Sequence, residues 1–415
     1  MKGLIRTCYY AFVLSIPFET VLYFNKQNDG SHSGVSASRV LGVLLFALAL
    51  VETRLCFRKI PAAFWLIAWY LAAFSLSQLW IPGEFDARFR EAQLTLIQFG
   101  ALFLISANLF ADEEFRKRVL RVFGWGMVLV AVALILGAFG MDMSGEGRGS
   151  IQSENPNALA GLFALAALCM VGDPLVISSE RRLPYALLAL PAAAVLGAGI
   201  MTTGSRGALT ALAAGIAGLA ACGGKANRSV RAAVAVVVIG LFGVLVWREF
   251  ENGTPMAVRL EKTVDRGDTA GRTGIYDAAW QMFVDRPMLG YGGVMNRVVL
   301  GTSLNYASGQ TGSAERDTHN QFLAVLTEVG LVGGLPFIVA VFLALWLSWK
   351  YGRRTGESLP FALMCTNFAF SMSGTGYREK IYWIIFAVAV GAGASKEAAH
   401  EAAVTPSSSP LFEPT

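Results

Sequence analysis

His319 lies at the start of the apolar stretch DTHNQFLAVLTEVGLVGG, which covers residues 317–334. Asp317 and Thr318 are candidate N-caps for a helix that begins there. Because the N-terminus of a helix disfavours positive charge, we expect the imidazole to be neutral at about pH 7 and able to accept a proton. His319 is therefore a candidate general base, and the alternative is a histidine that only caps the helix or lies at the membrane interface.

Arg206 lies in the segment MTTGSRGAL, between two apolar stretches that are joined by almost no loop. Arginines in such places face a cavity or a partner, since charge in hydrocarbon is costly. The guanidinium keeps its charge and binds phosphate through two parallel hydrogen bonds, so Arg206 is a candidate anion-binding residue. The alternative is a turn residue whose side chain extends towards water.

A group of further arginines lies in segments that we place on the outer side of a membrane, where arginine is less common than in cytoplasmic loops. Such a group suggests an anionic ligand. Arg272 is the strongest of these candidates, because it directly precedes a helical pattern, whereas Arg259 and Arg286 are interpreted as solvated loop charges. The other two candidates are Arg148 and Arg266.

The sequence lacks the motifs of several common enzyme and cofactor-binding classes. It contains no Walker loop, zinc-ligand spacing, nucleophile elbow or dinucleotide-binding fingerprint. It also lacks the Asp-x-Asp pair that holds a metal ion with a nucleotide-sugar diphosphate. We therefore expect no metal and no cofactor, so that an enzyme with an anionic leaving group would need arginines to stabilise that group.

The composition predicts an all-α, polytopic integral membrane protein. Hydrophobic residues make up 54% of the chain, charged residues 15%, and the mean hydropathy is +0.52, whereas soluble domains contain about 25% charged residues. Windows of about 19 residues predict about 12 transmembrane helices. They lie near residues 4–24, 39–52, 61–80, 91–110, 119–140, 156–172, 185–203, 207–221, 232–247, 319–349, 358–374 and 381–394.

Every second short loop is basic, as in TRLCFRK, EEFRKRVLR, SSERR, GGKANRSVR and KYGRR. The positive-inside rule places these loops and both termini in the cytoplasm. Residues 248–318 then form a long periplasmic loop or cap between transmembrane helices 1–9, in residues 1–247, and helices 10–12, in residues 319–394. The Pro- and Ser-containing tail, residues 395–415, is predicted to be disordered and cytoplasmic.

Two features of these segments concern local structure. In GRTGIYDAAWQMFVDRP one helical face is apolar, which predicts an amphipathic helix that ends at Pro287 and lies at the outer interface; the apolar face consists of Ile275, Ala278, Ala279, Met282 and Phe283. The tenth span is longer than a bilayer requires, and its GLVGGLP sequence predicts a kink or a close approach of another helix. Glu328, inside this span, is interpreted as a buried structural acid.

Four segments resemble motifs of the O-antigen ligase family. HNQFLAVLTEVGLVGG resembles its signature of His-Asn, nine residues and Gly-x-x-Gly, with His319, Asn320, Gly330 and Gly333 at the matching positions. GSRGALTAL, which contains Arg206, resembles the Ser-Arg-Gly segment of a superfamily that also holds O-antigen polymerases and bacterial protein O-oligosaccharyltransferases. NPNALAG and GRTGIYDAAWQMFVDRPMLGYG fit the same pattern.

The resemblance implies an inverting, metal-independent glycosyltransferase at the periplasmic face of the bacterial inner membrane. The implied donor is a polysaccharide on undecaprenyl diphosphate, the implied acceptor is lipid A–core oligosaccharide, and no nucleic acid is involved. His319 would be the base, and Arg206 and Arg272 would stabilise the diphosphate as it leaves. The residues expected to bind substrate are Arg148, Arg266, Asn320 and Asn155.

Alternative functions remain open at the level of the sequence. A polymerase would take a second lipid-linked glycan as acceptor, and a protein O-oligosaccharyltransferase would take a polypeptide. A transporter of lipid-linked glycans is a candidate from another class. The absence of repeated halves and the position of the polar residues at one edge argue against the transporter.

Overall fold

The computed structural model describes residues 1–19, 23–24, 35–138, 141–143, 149–151, 155–172, 179–222, 228–254, 256–258, 260–261, 272–307 and 315–404, and most of these residues are helical. The α-helices are α1 Lys2–Ser15, α2 Ala37–Val51, α3 Thr53–Cys56, α4 Ala62–Leu76, α5 Asp86–Leu109, α6 Glu113–Ile135, α7 Pro156–Gly172, α8 Ser179–Thr203, α9 Arg206–Ala221, α10 Arg228–Glu251, α11 Arg272–Asp285, α12 Met295–Ala307, α13 Gln321–Thr355, α14 Leu359–Ser371 and α15 Lys380–Val404. Two antiparallel pairs of short strands join them, β1 Tyr23–Phe24 with β2 Val35–Ser36, and β3 Met141–Met143 with β4 Gly149–Ile151.

The helices have the length and composition of a multi-pass membrane protein. Four helical segments in the described residues are long and apolar enough to cross a bilayer, namely Ala62–Trp80, Gly83–Leu109, Glu113–Ile135 and Gln321–Thr355. Shorter apolar helices accompany them, and each segment that the sequence predicted to span contains a helix. The helical class and the membrane character are confirmed, while the number of spans stays a prediction.

Two of the predicted boundaries differ from the structure. The first predicted span, 4–24, is wrong in its second half, because α1 ends at Ser15 and a 3-10 turn with Pro17 follows. Proline has no N–H to continue the α-helical hydrogen bonding. At the other end of the chain, α15 extends to Val404, ten residues into the tail predicted to be disordered, and residues 405–415 lie outside the described part.

The core of the bundle is formed around α15, whose residues 381–390 are all buried. A helix that is apolar on every side belongs in the interior, and α15 packs against α5 and α13. Helices α9 and α14 also pack closely, since a Cβ atom at Gly218 would lie 3.1 Å from the Cα of Ala362. Small residues permit such close approaches between membrane helices.

Helix α13 is broken at Gly330, which has φ 59° and ψ −159°. The break separates residues 321–329 from residues 331–355 and confirms the kink predicted from GLVGGLP. A side chain at Gly330 would collide with the backbone of Met288. The predicted close approach also occurs, because a Cβ at Gly333 would lie 2.7 Å from the Cβ of Ala73 on α4.

The turn between α11 and α12 fills this break. Two N–H groups at the start of the second half of α13 donate hydrogen bonds to carbonyls of the turn. Two N–H groups of the turn donate in return to carbonyls at the end of the first half. The four hydrogen bonds are Leu331 N to Pro287 O at 2.8 Å, Val332 N to Met288 O at 3.1 Å, Tyr291 N to Thr327 O at 2.8 Å and Gly292 N to Glu328 O at 2.8 Å.

Next to the break, the fully buried carboxylate of Glu328 accepts three hydrogen bonds. The donors are the Tyr377 hydroxyl at 2.6 Å, the Arg378 guanidinium at 2.5 Å and the Tyr70 hydroxyl at 3.3 Å. They tie α13 to α4 and to the 3-10 turn Gly376–Arg378. These contacts agree with the structural role that the sequence indicated for Glu328.

We expect Gly330→Ala to destabilise the protein by at least about 2 kcal/mol, because alanine is strained at this φ and its Cβ would push the inserted turn out of the break. Thermal unfolding of the purified protein in detergent measures the change. Gly243→Ala in α10 is the matched control, since nothing lies within 4 Å of its Cβ position. Equal midpoints for the two variants would contradict the importance of the break.

Candidate functional site

The residues predicted to do chemistry meet at the end of the bundle where α9 and α13 begin and α14 ends. A Cβ at Gly207 would lie 2.5 Å from the Oγ of Ser373, so the start of α9 is packed against the segment after α14. The Tyr276 hydroxyl of α11 lies 3.2 Å from the carbonyl oxygens of both Met372 and His319. These contacts place Arg206 and His319 at the same end of the molecule.

His319 has an unusual backbone conformation. Its φ of 48° makes it the one residue other than glycine with a positive φ in the described part of the chain. Left-handed backbone at such a residue costs about 1–3 kcal/mol and is found disproportionately at functional sites. The Tyr276 hydroxyl, which reaches the His319 carbonyl, supports this conformation.

Helix α13 begins after His319 and not before it. Asn320 is the N-cap, and its side-chain oxygen accepts from the N–H groups of Phe322 at 3.0 Å and Leu323 at 3.2 Å. The prediction that Asp317 or Thr318 caps this helix was wrong. The amide of Asn320 performs that role because the chain is still non-helical at His319.

Asp317 instead lies beside the imidazole. Its Oδ2 is 3.6 Å from His319 Nδ1 and accepts a hydrogen bond from the Thr375 hydroxyl at 2.8 Å. Its Oδ1 is 3.9 Å from a guanidinium nitrogen of Arg297 on α12. The carboxylate thus contacts groups from three separate segments of the chain.

The pKa of His319 is lowered from its ordinary value, mainly because burial disfavours the charged imidazolium. The positive charges of Arg272, Arg297 and Arg316 lower it further, and Asp317 opposes them by raising it. The side chain is 34% exposed, so it remains accessible from outside. A neutral imidazole was expected from the helix N-terminus, and the structure adds burial and the arginine charges as reasons.

Two of the predicted anion-binding residues are the first residues of helices. Arg206 is the first residue of α9, where the Ser205 hydroxyl accepts from Ala208 N at 3.4 Å, and Arg272 is the first residue of α11. Both residues are half-buried. The free N–H groups at the start of a helix favour anions, so each guanidinium lies beside a second source of positive potential.

The remaining predicted residues are placed differently. Arg148 and Arg266, and also Arg259, lie outside the described residues. Asn155 is exposed at the start of α7, where its side chain accepts from Asn157 N at 2.9 Å. Arg286 is exposed, with its guanidinium 4.6 Å from the centre of the Tyr291 ring. No structural contact joins Asn155 or Arg286 to the imidazole of His319 in the described residues.

Sequence reasoning missed several residues around the imidazole. Arg297 and Arg316 lie in the predicted outer stretch 248–318 and could have been counted with its other arginines. Asp317 was considered only as a cap, although it lies two residues from the histidine. Thr375 is 58 positions from Asp317 and carries no local signal.

The comparison with family models identifies the region that holds these residues. The model described as O-antigen ligase matches residues 191–338, which include Arg206, Arg272, His319 and Asn320. No curated protein matches the chain. The resemblance to the O-antigen ligase family is therefore confirmed over residues 191–338, which hold every motif that carries it except NPNALAG at residues 155–161.

We expect Arg272→Gln to raise the pKa of His319, by up to about one unit, because removal of a positive charge stabilises the imidazolium. The chain contains only three histidines, so ¹⁵N-histidine NMR of protein in lipid nanodiscs can follow the titration, with His319→Gln for assignment. Arg286→Gln is the control with the same loss of charge. A fall in the pKa, or an equal rise in both variants, would contradict the described electrostatics.

Proposed function

We propose that this protein is an O-antigen ligase, which transfers polysaccharide from undecaprenyl diphosphate to lipid A–core oligosaccharide at the periplasmic face of the bacterial inner membrane. The observation that carries the proposal is the position of His319. Its partly exposed imidazole, with a lowered pKa, lies among arginines at one end of an apolar helical bundle. The matched family region contains this histidine and both proposed catalytic arginines.

The reaction needs a base for the acceptor. A sugar hydroxyl of lipid A–core becomes a stronger nucleophile as His319 accepts its proton. Attack on the anomeric carbon opposite the diphosphate forms the new glycosidic bond, breaks the bond to the diphosphate oxygen and inverts the configuration. We propose a single displacement of this kind.

The reaction also needs stabilisation of the departing diphosphate. Arg206 and Arg272 are proposed to bind it at the starts of α9 and α11, where the helix N-termini add to their charge. Arg297 and Arg316 join them as candidates, because their charges act on the same imidazole. The proposed substrate contacts of Arg148, Arg266, Asn320 and Asn155 complete the set.

The distribution of charge supports the proposed orientation. The end of the bundle opposite His319 carries basic side chains where α6 begins and α13 ends, and positive charge is typical of the cytoplasmic side. These side chains belong to Lys117, Arg118, Arg353 and Arg354. The proposal includes about 12 spans, cytoplasmic termini and a periplasmic loop that carries α11 and α12.

The matched family region does not distinguish a ligase from a polymerase, so the acceptor decides between them. Purified protein in liposomes is given the undecaprenyl-diphosphate glycan with lipid A–core, or with a second lipid-linked glycan, in excess chelator. We expect product with lipid A–core only. Product from the second glycan would identify a polymerase, and loss of transfer on chelation would contradict the metal-independent mechanism.

In that assay we expect His319→Ala and Arg206→Ala each to lower the transfer rate by about 100-fold or more, since they remove the base and one stabilising cation. Arg90→Ala, an exposed arginine whose guanidinium lies 4.0 Å from Asp86, is the control with unchanged activity. Full activity in either of the first two variants would overturn the assigned role.

The transfer rate should fall in acid, because protonated His319 cannot act as a base. Its lowered pKa places the half-maximal point of this fall below the ordinary histidine value of about 6.5. Arg272→Gln should move the half-maximal point to higher pH, in addition to slowing the reaction. A profile that is flat between about pH 4.5 and 8 would exclude the histidine as the titrating base.

A further inference from the structure

The contacts of Asp317 fix the orientation of its carboxylate. Oδ2 accepts from the Thr375 hydroxyl at 2.8 Å and faces the imidazole, while Oδ1 faces Arg297 at 3.9 Å. The side chain is 22% exposed, so neighbouring groups restrict its motion. The two oxygens are therefore directed towards different partners from different segments.

The distance between Asp317 Oδ2 and His319 Nδ1 is 3.6 Å, slightly longer than a hydrogen bond. A movement of about half an ångström would close it, and catalytic contacts of this kind often tighten only when substrate binds. An ionised carboxylate only accepts hydrogen bonds, so the contact selects the imidazole tautomer with the proton on Nδ1. Nε2 is then left with the lone pair that a base requires.

The backbone supports the same arrangement. The left-handed φ of His319 turns the chain between Asp317 and Asn320, and the Tyr276 hydroxyl contacts the His319 carbonyl at 3.2 Å. Asn320 fixes the start of α13 immediately afterwards. The histidine backbone is thus held by α11 and α13, while its ring lies against the side chain of Asp317.

We propose that Asp317 is the positioning residue of His319, which holds the imidazole in the Nδ1–H tautomer and stabilises the imidazolium formed during transfer. This inference rests on the proposed function of His319 as the base. The acceptor hydroxyl proton moves to Nε2 as its oxygen bonds to the anomeric carbon, and the electron pair of the broken bond leaves with the diphosphate oxygen. The imidazolium then returns its proton to solvent or to the released diphosphate.

The negative charge of Asp317 favours the imidazolium, whereas the other charges that face the ring disfavour it. Arg316 belongs to the same segment, Arg272 to α11 and Arg297 to α12, and each of them disfavours the imidazolium. Without Asp317, the base would have to acquire a proton among these cations alone. The carboxylate therefore lowers the cost of proton transfer and does not simply support the fold.

The test is Asp317→Asn, which keeps the size of the side chain and removes its charge. ¹⁵N-histidine NMR should show the Nδ1–H tautomer of His319 in the native protein and a loss of that preference in the variant. The pKa of His319 should fall, because the carboxylate that favours the imidazolium is gone. At pH values above the pKa of His319, the transfer rate of the variant should be about tenfold or more lower than that of the native protein. The acidic side of its rate–pH profile should move to lower pH.

Asp277→Asn provides the matched control, since Asp277 is an exposed carboxylate on α11. It should leave the tautomer, the pKa and the transfer rate unchanged. Thr375→Val should give a weaker form of the Asp317→Asn effects, and Asp317→Glu should restore part of the rate. Thermal unfolding identifies any variant whose lost activity reflects misfolding.

An Nε2–H tautomer in the native protein, or a tautomer and pKa that are unaffected by Asp317→Asn in folded protein, would overturn the inference. If the proposed function were wrong, the transfer assay would fail and the NMR experiment would not. The native protein would then lack transfer activity with either lipid-linked acceptor, while the NMR experiment would still report on the contact between Asp317 and His319.

Discussion

The insertion of the Pro287–Gly292 turn into the break of α13 is the constraint on which the arrangement of the candidate site depends. A broken helix leaves N–H and C=O groups unpaired, and hydrocarbon offers them no partner. The inserted turn supplies four partners at 2.8–3.1 Å. Because α11 ends at Asp285 and α12 begins at Met295, both helices are attached to α13 within a few residues of these bonds. The same bonds therefore determine how the arginines of α11 and α12 lie relative to the histidine before α13.

The charges near the break form two groups of contacts, one around Glu328 and one around Asp317. Arg378 is paired with the buried Glu328 and also lies 3.4 Å from the Gly293 carbonyl oxygen, so its charge stabilises the junction. Arg272 and Arg297 act on His319, where the carboxylate of Asp317 contacts a threonine hydroxyl, the imidazole and a guanidinium. One carboxylate does not neutralise several cations, so the site retains the positive potential that an anionic leaving group requires.

The sequence allowed prediction of the features that depend on local pattern. The predicted helix α11 forms, with Ala279 and Met282 of its apolar face buried against Leu300 of α12 and not only facing an interface, and the glycines of α13 produce both the break and a close approach. The cap of α13 was misplaced, because the left-handed turn at His319 delays the helix and leaves capping to Asn320. The contact with Thr375 and the inserted turn connect residues far apart in the chain, and neither hydropathy nor motif spacing records such pairs.

The break also determines the height of the site relative to the membrane in the proposed orientation. Residues 331–349 of α13 are almost uninterruptedly apolar, and at about 1.5 Å per residue they extend for about 28 Å, close to the hydrocarbon thickness of about 30 Å. The preceding half of the helix, residues 321–329, is about 14 Å long and joins this apolar stretch at the break. His319 precedes that half and lies on the outer side of the break in the proposed orientation. A diphosphate anchored by a lipid chain lies just outside the hydrocarbon, so it could meet the arginines on that side of the break while the chain remained in the bilayer.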